Sequence, residues 1–407
     1  MMKKTVFSFV LAALLPVSVQ AAPQTAAAAA KTAPQAAAPV IERSAVAPEI
    51  AAAAYIVTDL QSGSTLAANH ADTEIEPAAL TKMMTAYLVF KALENGTLKA
   101  EQKVNVSDTA WKAEGSRMFL DRKTPVSIGD LIKGMAVASG NDAALTLAEA
   151  AGGSVAAFVG KMNEEAARLG MKHTRFKNPT GLPEEGQVST VRDLAVLAAA
   201  LIRDYPKYYP VFSLKSFKYN QIEQPNRNLL LYRDSSVDGL SVGHADSAGY
   251  HLTASSKRNG RRVVSVVAGA ESTEARASES SKLLNWALQS FDTPKLYRGG
   301  EAVSSVKVYR GDAQSVAVGF TDDAYITISH DTGRSLKPIL QTVQPVLAPI
   351  RKGQVLGRLK LVDNGKTVAE KDVVALEDVA EGGWLSRVWD SIVLWFKGLF
   401  GGASAQA

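Results

Sequence analysis

The 407-residue chain contains no cysteine, so disulfides and cysteine-type metal sites are excluded and stability must come from packing. It has five histidines, and no cluster of His, Asp and Glu predicts a metal site; no cofactor is expected either. The net charge of +5 is small, and no basic run with interleaved aromatics indicates a nucleic-acid partner. The length and the 46% hydrophobic content instead predict two ordinary globular domains with tails.

The first residues have the pattern of an export signal. Two lysines precede an apolar core over residues 6–15, and small residues at 19–21 suit a cleavage site, so residues 1–21 are predicted to be a signal peptide. An uncleaved membrane anchor is the alternative, but the apolar run is short for a bilayer. Residues 22–48 are mostly Ala, Pro, Gln and Thr, a composition typical of a flexible linker.

Strand and helix patterns alternate between residues 49 and 292. Two strand patterns separated by a short turn open this region, and further strands follow an internal block of helices. The order predicts an α/β domain in which a sheet is flanked by helices and an all-helical lobe is inserted between the strands. Helices are predicted over 83–94, 128–138, 141–151, 155–169, 191–202 and 278–291.

Residues 293–380 contain strand patterns at regular spacing, separated by Gly or Asp-Asn-Gly turns, and predict a small all-β domain. Residues 384–400 then carry apolar side chains at helical spacing and include three of the five tryptophans. Behind a predicted hinge at Gly382-Gly383, this amphipathic helix is expected to lie in a membrane interface. The alternative is that this helix docks on the β domain. In either case, the helix is too polar to span a bilayer.

The stretch 76–84 begins the first helix and places Ala79 and Lys82 three residues apart, on one helix face. Downstream lie Ser139-Gly140-Asn141 and Ser241-Val242-Gly243-His244. Their order and spacing match the signature of penicillin-binding proteins, S-x-x-K, then S-x-N, then K-T-G, with the first and third parts altered.

With these motifs and phrases such as Asn226-Arg227-Asn228 and Ala248-Gly249-Tyr250, residues 50–292 resemble a serine-type D-alanyl-D-alanine carboxypeptidase, a low-molecular-weight penicillin-binding protein. The resemblance implies the serine β-lactamase/DD-peptidase fold followed by a C-terminal all-β domain. It implies that the protein binds peptidoglycan stem peptides ending in D-Ala-D-Ala. It also implies that a form of the protein with an intact nucleophile would bind β-lactams. It also implies a periplasmic protein attached to the inner membrane through its C-terminal helix.

The resemblance assigns roles to the first two motifs. Position 79 holds the nucleophilic serine in the family, and Lys82 matches the base that takes its proton. Ala79 offers only a methyl group, and Thr81 is expected to point away from the cleft. Ser139 matches the residue that relays a proton to the leaving group. Asn141 matches the residue that helps to hold the substrate and the lysine of the first motif. A helix cap is the alternative for both, and the two roles are compatible.

The third motif is predicted to bind substrate. Ser241 and Val242 stand where the family has lysine and threonine, Gly243 is retained, and the strand can still pair with an extended peptide. Arg276 matches an arginine near the substrate's terminal carboxylate; the alternative is an exposed arginine at a helix start. His244 is expected to be structural rather than a base. Backbone N–H groups of 79 and 244 would form an oxyanion hole.

Three hypotheses follow. The first is a pseudoenzyme with the carboxypeptidase fold that binds stem peptides or a wall-synthesis partner without cleaving them. The second is an active serine-type D-Ala-D-Ala carboxypeptidase whose nucleophile was replaced in the laboratory; the Ser241-Val242 pair fits it less well, because lost substrate contacts would defeat substrate trapping. In the third, the β domain and its anchor are the functional unit and the larger domain is a spacer.

Overall fold

The structure is a computed structural model that describes residues 18–22, 45–330 and 336–400, with side chains described for 45–330 and 336–395. It contains two compact units: one includes residues 45–293 together with 329–330, and the other includes 18–22, 294–328 and 336–400. The predicted signal peptide lies outside the described residues except for 18–21, and the predicted linker except for residue 22 and 45–48. The described chain begins with strand β1 (Ser18–Ala22).

The first unit alternates strands and helices as predicted, with two 3₁₀ helices, Ala78–Thr81 and Tyr209–Ser213, in addition. Its last helix begins at Thr273, earlier than the predicted residue 278, because the Ser272 side chain caps it. In chain order its elements are β2 (Ala54–Asp59), β3 (Thr65–Asn69), α1 (Lys82–Glu94), β4 (Lys103–Val104), α2 (Asp108–Trp111), β5 (Val126–Ser127), α3 (Ile128–Ala138), α4 (Asn141–Gly152), α5 (Val155–Leu169), α6 (Val191–Asp204), β6 (Ser216–Tyr219), β7 (Ile222–Pro225), α7 (Leu230–Arg233), β8 (Val237–Ala245), β9 (Gly249–Arg258), β10 (Arg261–Ala270), α8 (Thr273–Ser290) and β11 (Phe291–Asp292).

Its main sheet has five antiparallel strands in the order β3-β2-β10-β9-β8. Side chains of a strand alternate between the two faces of a sheet. On β10, Val264 and Val266 pack in the core shared with the helical lobe, whereas Val263 and Val267 pack in the core that contains α8. The predicted α/β architecture, with helices on both faces of the sheet and a helical lobe, is therefore confirmed.

Helix α1 lies in the middle of the larger core. Ten of its residues are buried, because its sequence is apolar on nearly every side. Around it pack α3, α4, α5 and α6. Helices α3 and α5 begin at the side-chain caps Ser127 and Ser154, and α5 ends at Gly170 with φ 79°. The buried start of α1 is thus fixed by packing from the whole lobe.

The second unit is built mainly from one sheet in the order β1-β17-β19-β20-β14-β13-β18, and the predicted all-β domain is confirmed. Its core includes Val316, Val318, Leu340 and Val373. In chain order its elements are β12 (Lys295–Tyr297), β13 (Ala302–Tyr309), β14 (Ser315–Gly319), β15 (Ala324–Tyr325), β16 (Ile328–Ser329), β17 (Lys337–Val343), β18 (Val346–Leu347), β19 (Val355–Asp363), β20 (Lys366–Ala375) and α9 (Trp384–Phe400).

The start of α9 is tied to the second unit. Gly382 donates to the carbonyl oxygen of Arg310, 2.8 Å away, and a Cβ on Gly382 would lie 2.4 Å from the oxygen of Gly311. Gly382 therefore needs to be glycine for close packing, whereas a Cβ at Gly383 would have nothing within 4 Å. The hinge at this pair stays a prediction. Among the described residues, no single helix is long and apolar enough to cross a membrane. Helices α4 and α5 taken together have the length and hydropathy of a membrane span, but an 83° bend separates them.

Candidate functional site

Position 79 lies in the 3₁₀ helix that leads into α1, so the side chains of Ala79 and Lys82 fall on one face, as the spacing predicts. The turn is held by Gly181, which packs against the carbonyl of Ala78. A Cβ at Gly181, where φ is +82°, would lie 1.8 Å from that oxygen, so only glycine fits. The neighbouring Thr81 hydroxyl is buried and hydrogen-bonds to nothing in the described part of the chain.

The Lys82 side chain is buried, and its Nζ donates to the carbonyl oxygen of Thr180, 2.7 Å away. Burial, and secondarily the positive charge of Arg227, lower the pKa of Lys82 to about 7, while Asp142 opposes the shift. A large share of the molecules therefore carries a neutral amine at neutral pH. The base position is intact, but Ala79 gives it no hydroxyl to deprotonate.

The second motif connects two helices. Ser139 ends α3 in the left-handed region, with φ 57°, Gly140 is the N-cap of α4, and Asn141 is the first residue of that helix. Neither Ser139 nor Asn141 caps the start of α4 with its side chain, so the helix-cap alternative is wrong for Asn141, whereas Ser139 is the C-cap residue of α3. Asn141 is buried and donates through Nδ2 to the carbonyl oxygen of Glu114, 2.7 Å away.

The third motif lies on β8, at the edge of the five-stranded sheet, against position 79. The Ser241 hydroxyl donates to the carbonyl oxygen of Ala79 over 3.4 Å, and a Cβ on Gly243 would lie 3.3 Å from the Ala79 nitrogen. Val242 packs beside the core that contains α8. The edge strand thus runs directly past the nucleophile position.

His244 and Tyr250 form a cross-strand pair with their ring centroids 4.1 Å apart. The His244 side chain is 42% exposed, and its Nε2 lies 3.8 Å from the Asp246 carboxylate. The structural role of His244 stays a prediction.

Arg276 is buried on α8 and donates to the carbonyl oxygen of Gly243, 2.8 Å away. Its guanidinium lies over the Tyr250 ring, 5.6 Å from the centroid. Burial lowers the pKa of Arg276 to about 10. The alternative of an exposed arginine at a helix start is therefore wrong, and the guanidinium lies against the third motif.

Arg227 was not among the predicted site residues. It lines the same cavity as Lys82, Ser139, Ser241 and Val242, and burial lowers its pKa. Its signal in the sequence is the Asn226-Arg227-Asn228 phrase, which the resemblance already contains. Within the described residues no carboxylate pairs with Arg227, Arg276 or Lys82.

A second unpredicted residue, His251, fixes the loop before position 79. Its Nδ1 accepts from the Gly269 amide, 3.0 Å away, so its Nε2 carries the proton and donates to the carbonyl oxygen of Glu76 at 3.1 Å. Burial lowers the pKa of His251 to about 4. A lone histidine on a strand gives no sequence signal for this role.

The cleft therefore combines the third-motif strand, a buried lysine, a serine between two helices and two arginines. Residues 41–272 match the sequence model of the family described as D-alanyl-D-alanine carboxypeptidase. The chain belongs to this family. Residues 291–381 match a second model, the C-terminal domain of penicillin-binding protein 5.

Relatives agree with the family assignment over most of the chain. D-alanyl-D-alanine carboxypeptidase DacA of Haemophilus influenzae is 40% identical over 359 residues, 87% of this chain and 91% of the relative. The crystal structure of penicillin binding protein 5 from Haemophilus influenzae superimposes with a TM-score of 0.79 and 39% identity, covering 83% of this chain and 99% of that one.

A third relative carries a ligand. Penicillin-binding protein D2 from Listeria monocytogenes, in its ampicillin-bound form, has a TM-score of 0.55 and 31% identity over 60% of this chain and 99% of that one. The carboxypeptidase family acts on peptidoglycan stem peptides ending in D-Ala-D-Ala, and its members bind β-lactams. In this chain, the described residues contain no group of three His, Asp or Glu side chains that could hold a metal ion.

Proposed function

We propose that this member of the carboxypeptidase family binds stem peptides ending in D-Ala-D-Ala and does not hydrolyse them. The observation that carries the proposal is the methyl group of Ala79 at the nucleophile position of an otherwise assembled cleft. No proton transfer gives a methyl group a reactive lone pair, and in another serine hydrolase loss of the nucleophile lowers turnover roughly a millionfold.

Peptide binding is supported by what the cleft retains. The edge of β8 offers backbone groups to an extended peptide. Arg227 and Arg276 are positively charged, and no carboxylate of the described residues pairs with them, so a ligand's terminal carboxylate supplies the missing charge. Lys82, which is neutral in a large share of the molecules at pH 7, adds a hydrogen-bonding amine. A guanidinium binds such a carboxylate through paired hydrogen bonds.

Calorimetric titration with an N-acetylated stem pentapeptide tests this proposal, with the C-terminal amide of the same peptide as the matched ligand. The acid is expected to bind and the amide to bind at least tenfold more weakly, because one charge-assisted contact is lost. Chromatography of the mixture should detect no free D-alanine. Release of D-alanine, or equal binding of acid and amide, would contradict the proposal.

The alternative, an active carboxypeptidase whose serine was replaced in the laboratory, makes a distinct prediction. It requires a serine codon at position 79 of the encoding gene, whereas the pseudoenzyme requires an alanine codon. The changes at Ser241 and Val242 favour the pseudoenzyme, because a substrate trap would keep the lysine and threonine that hold substrate.

We also propose that the protein is exported to the periplasm and attached to the inner membrane through α9. The pattern of residues 1–21 supports export, and three tryptophans of α9, Trp384, Trp389 and Trp395, are 67%, 68% and 63% exposed. Fractionation of cells that express the full chain or a form ending at 383 tests this. The full chain should sediment with membranes and the shorter form should not; equal distribution would contradict attachment through α9.

A further inference from the structure

A groove on the second unit runs between Arg310 and one face of α9. It has a volume of about 560 Å³ and is lined by Arg310, Trp384, Arg387, Val388, Ser391, Ile392 and Trp395. We call it the Arg310 groove. All these residues belong to the same unit, and none belongs to the peptide cleft.

The backbone holds Arg310 in an unusual conformation beside the helix. Its φ is +61°, in the left-handed region that arginine seldom adopts. Its amide donates to the Asp390 carboxylate on α9, and its carbonyl oxygen accepts from the amide of Gly382. Such strain persists only where the surroundings enforce it, and it is concentrated at functional positions. The fold therefore fixes the Arg310 backbone against the start and the middle of α9, and the side chain lines the groove from there.

Among the residues with described side chains, the Arg310 guanidinium is the charged group of the groove that has no charged partner. Its Nε is buried without a hydrogen-bond partner, and no acid pairs with the side chain in the described ranges. Of the other charged groups, Arg387 is paired with Glu381 at 3.0 Å, and Asp390 accepts from the Arg310 backbone. A buried donor without a partner is costly, so an anion is the ligand that this position favours.

The rest of the groove is apolar and open to solvent. Trp384, Val388, Ile392 and Trp395 are all exposed. A small soluble anion would leave these side chains in water, whereas an amphiphile would cover them while its anionic group reached Arg310. The combination of one unpaired guanidinium with an apolar, tryptophan-bearing face is complementary in charge and polarity to a phospholipid at a bilayer surface.

We propose that the Arg310 groove binds an anionic phospholipid, with the phosphate on the Arg310 guanidinium and the acyl chains along the tryptophan face of α9. This inference rests on the proposed membrane attachment and adds to it a defined head-group site. It makes Arg310, which lies 74 positions before the first residue of the helix, part of the membrane-binding surface.

Co-sedimentation of the full chain with vesicles tests the inference. The vesicles are pure phosphatidylcholine or phosphatidylcholine mixed with phosphatidylglycerol. Arg310→Gln is compared with Arg298→Gln, which removes the same charge from an exposed side chain that is not in the groove. Arg310→Gln is expected to weaken binding to the mixed vesicles about fivefold, the effect of one basic residue at an anionic surface, and Arg298→Gln to leave it unchanged.

Three results would overturn the head-group site. Equal effects of the two substitutions would mean that Arg310 contributes only overall charge. An equal loss of binding to both kinds of vesicle by Arg310→Gln, with a changed tryptophan emission spectrum in solution, would mean that Arg310 only holds the helix. Binding of sn-glycerol 3-phosphate to the protein in the absence of vesicles, as tight as the binding to mixed vesicles, would mean that the groove binds free phosphate. If the unaltered chain binds neither kind of vesicle, the membrane attachment itself is wrong.

Discussion

The Lys82 side-chain nitrogen lies 2.7 Å from the carbonyl oxygen of Thr180, in the cleft where the family's serine would otherwise share that lysine. The contact explains how a buried lysine is kept in place without its usual partner. The burial also lowers the free energy of unfolding when Lys82 is charged, because the charged amine is poorly solvated there.

Lys82 should make the protein less stable below about pH 10. Its pKa is about 7 in the folded chain and 10.5 ordinarily, so between these values the unfolded chain holds a proton that the folded chain lacks. Stability therefore rises with pH across this window. Lys82→Met should raise the free energy of unfolding at pH 7 by a few kcal/mol, about what the pKa shift implies. Urea denaturation of both proteins from pH 7 to 10 measures the difference, which should shrink as the pH rises; a constant difference would contradict the account.

The buried His251 should lower the stability of the protein in acid. The pKa of His251 is about 4 when folded and 6.5 ordinarily, so protonation of the unfolded chain lowers stability as the pH falls from 6.5 to 4. His251→Gln should remove up to about 3 kcal/mol of this pH dependence, at a constant cost of roughly 1 kcal/mol for each lost hydrogen bond. Denaturation curves at pH 7, 5.5 and 4.5 check this, and parallel pH profiles for the two proteins would refute it.

Gly181 should tolerate no side chain. Gly181→Ala places a methyl group against the Ala78 carbonyl at a residue with φ +82°, and should cost more than about 3 kcal/mol through clash and strain. Gly96→Ala is the matched control, because φ there is +76° but nothing lies within 4 Å of the added Cβ; it should cost only about 1 kcal/mol. Chemical denaturation compares the two. Similar values would mean that the turn at position 79 is not held by Gly181.

The third motif should limit a restored enzyme. In an Ala79→Ser background, adding Ser241→Lys returns a cation at the residue that contacts the Ala79 carbonyl, and Val242→Thr returns a hydroxyl on the next residue of β8. One charge-assisted contact implies about tenfold faster acylation by a fluorescent penicillin. The same two changes without Ala79→Ser should give no adduct. An unchanged rate would mean that Arg227 and Arg276 already supply what the lysine does.

Much of the fold could be predicted because its signals are local. Helices over 128–138 and 155–169 have the predicted ends, since serine caps and Gly170 mark them. The site was harder to predict where it depends on contacts between distant segments. The approach of Gly181 to Ala78 and the burial of Arg276 against β8 are contacts between segments far apart in the sequence, which no local pattern predicts. Arg227 belongs to a phrase shared with the family, but no periodic pattern marks it as a site residue.

The most direct test of the central claim is the intact mass of the purified protein after incubation with a penicillin, beside its Ala79→Ser variant. We expect no adduct on the unaltered chain and one acyl adduct on the variant, since Ala79→Ser returns the hydroxyl beside Lys82 and the altered third motif only slows acylation. An adduct on the unaltered chain would contradict the claim and require a different nucleophile.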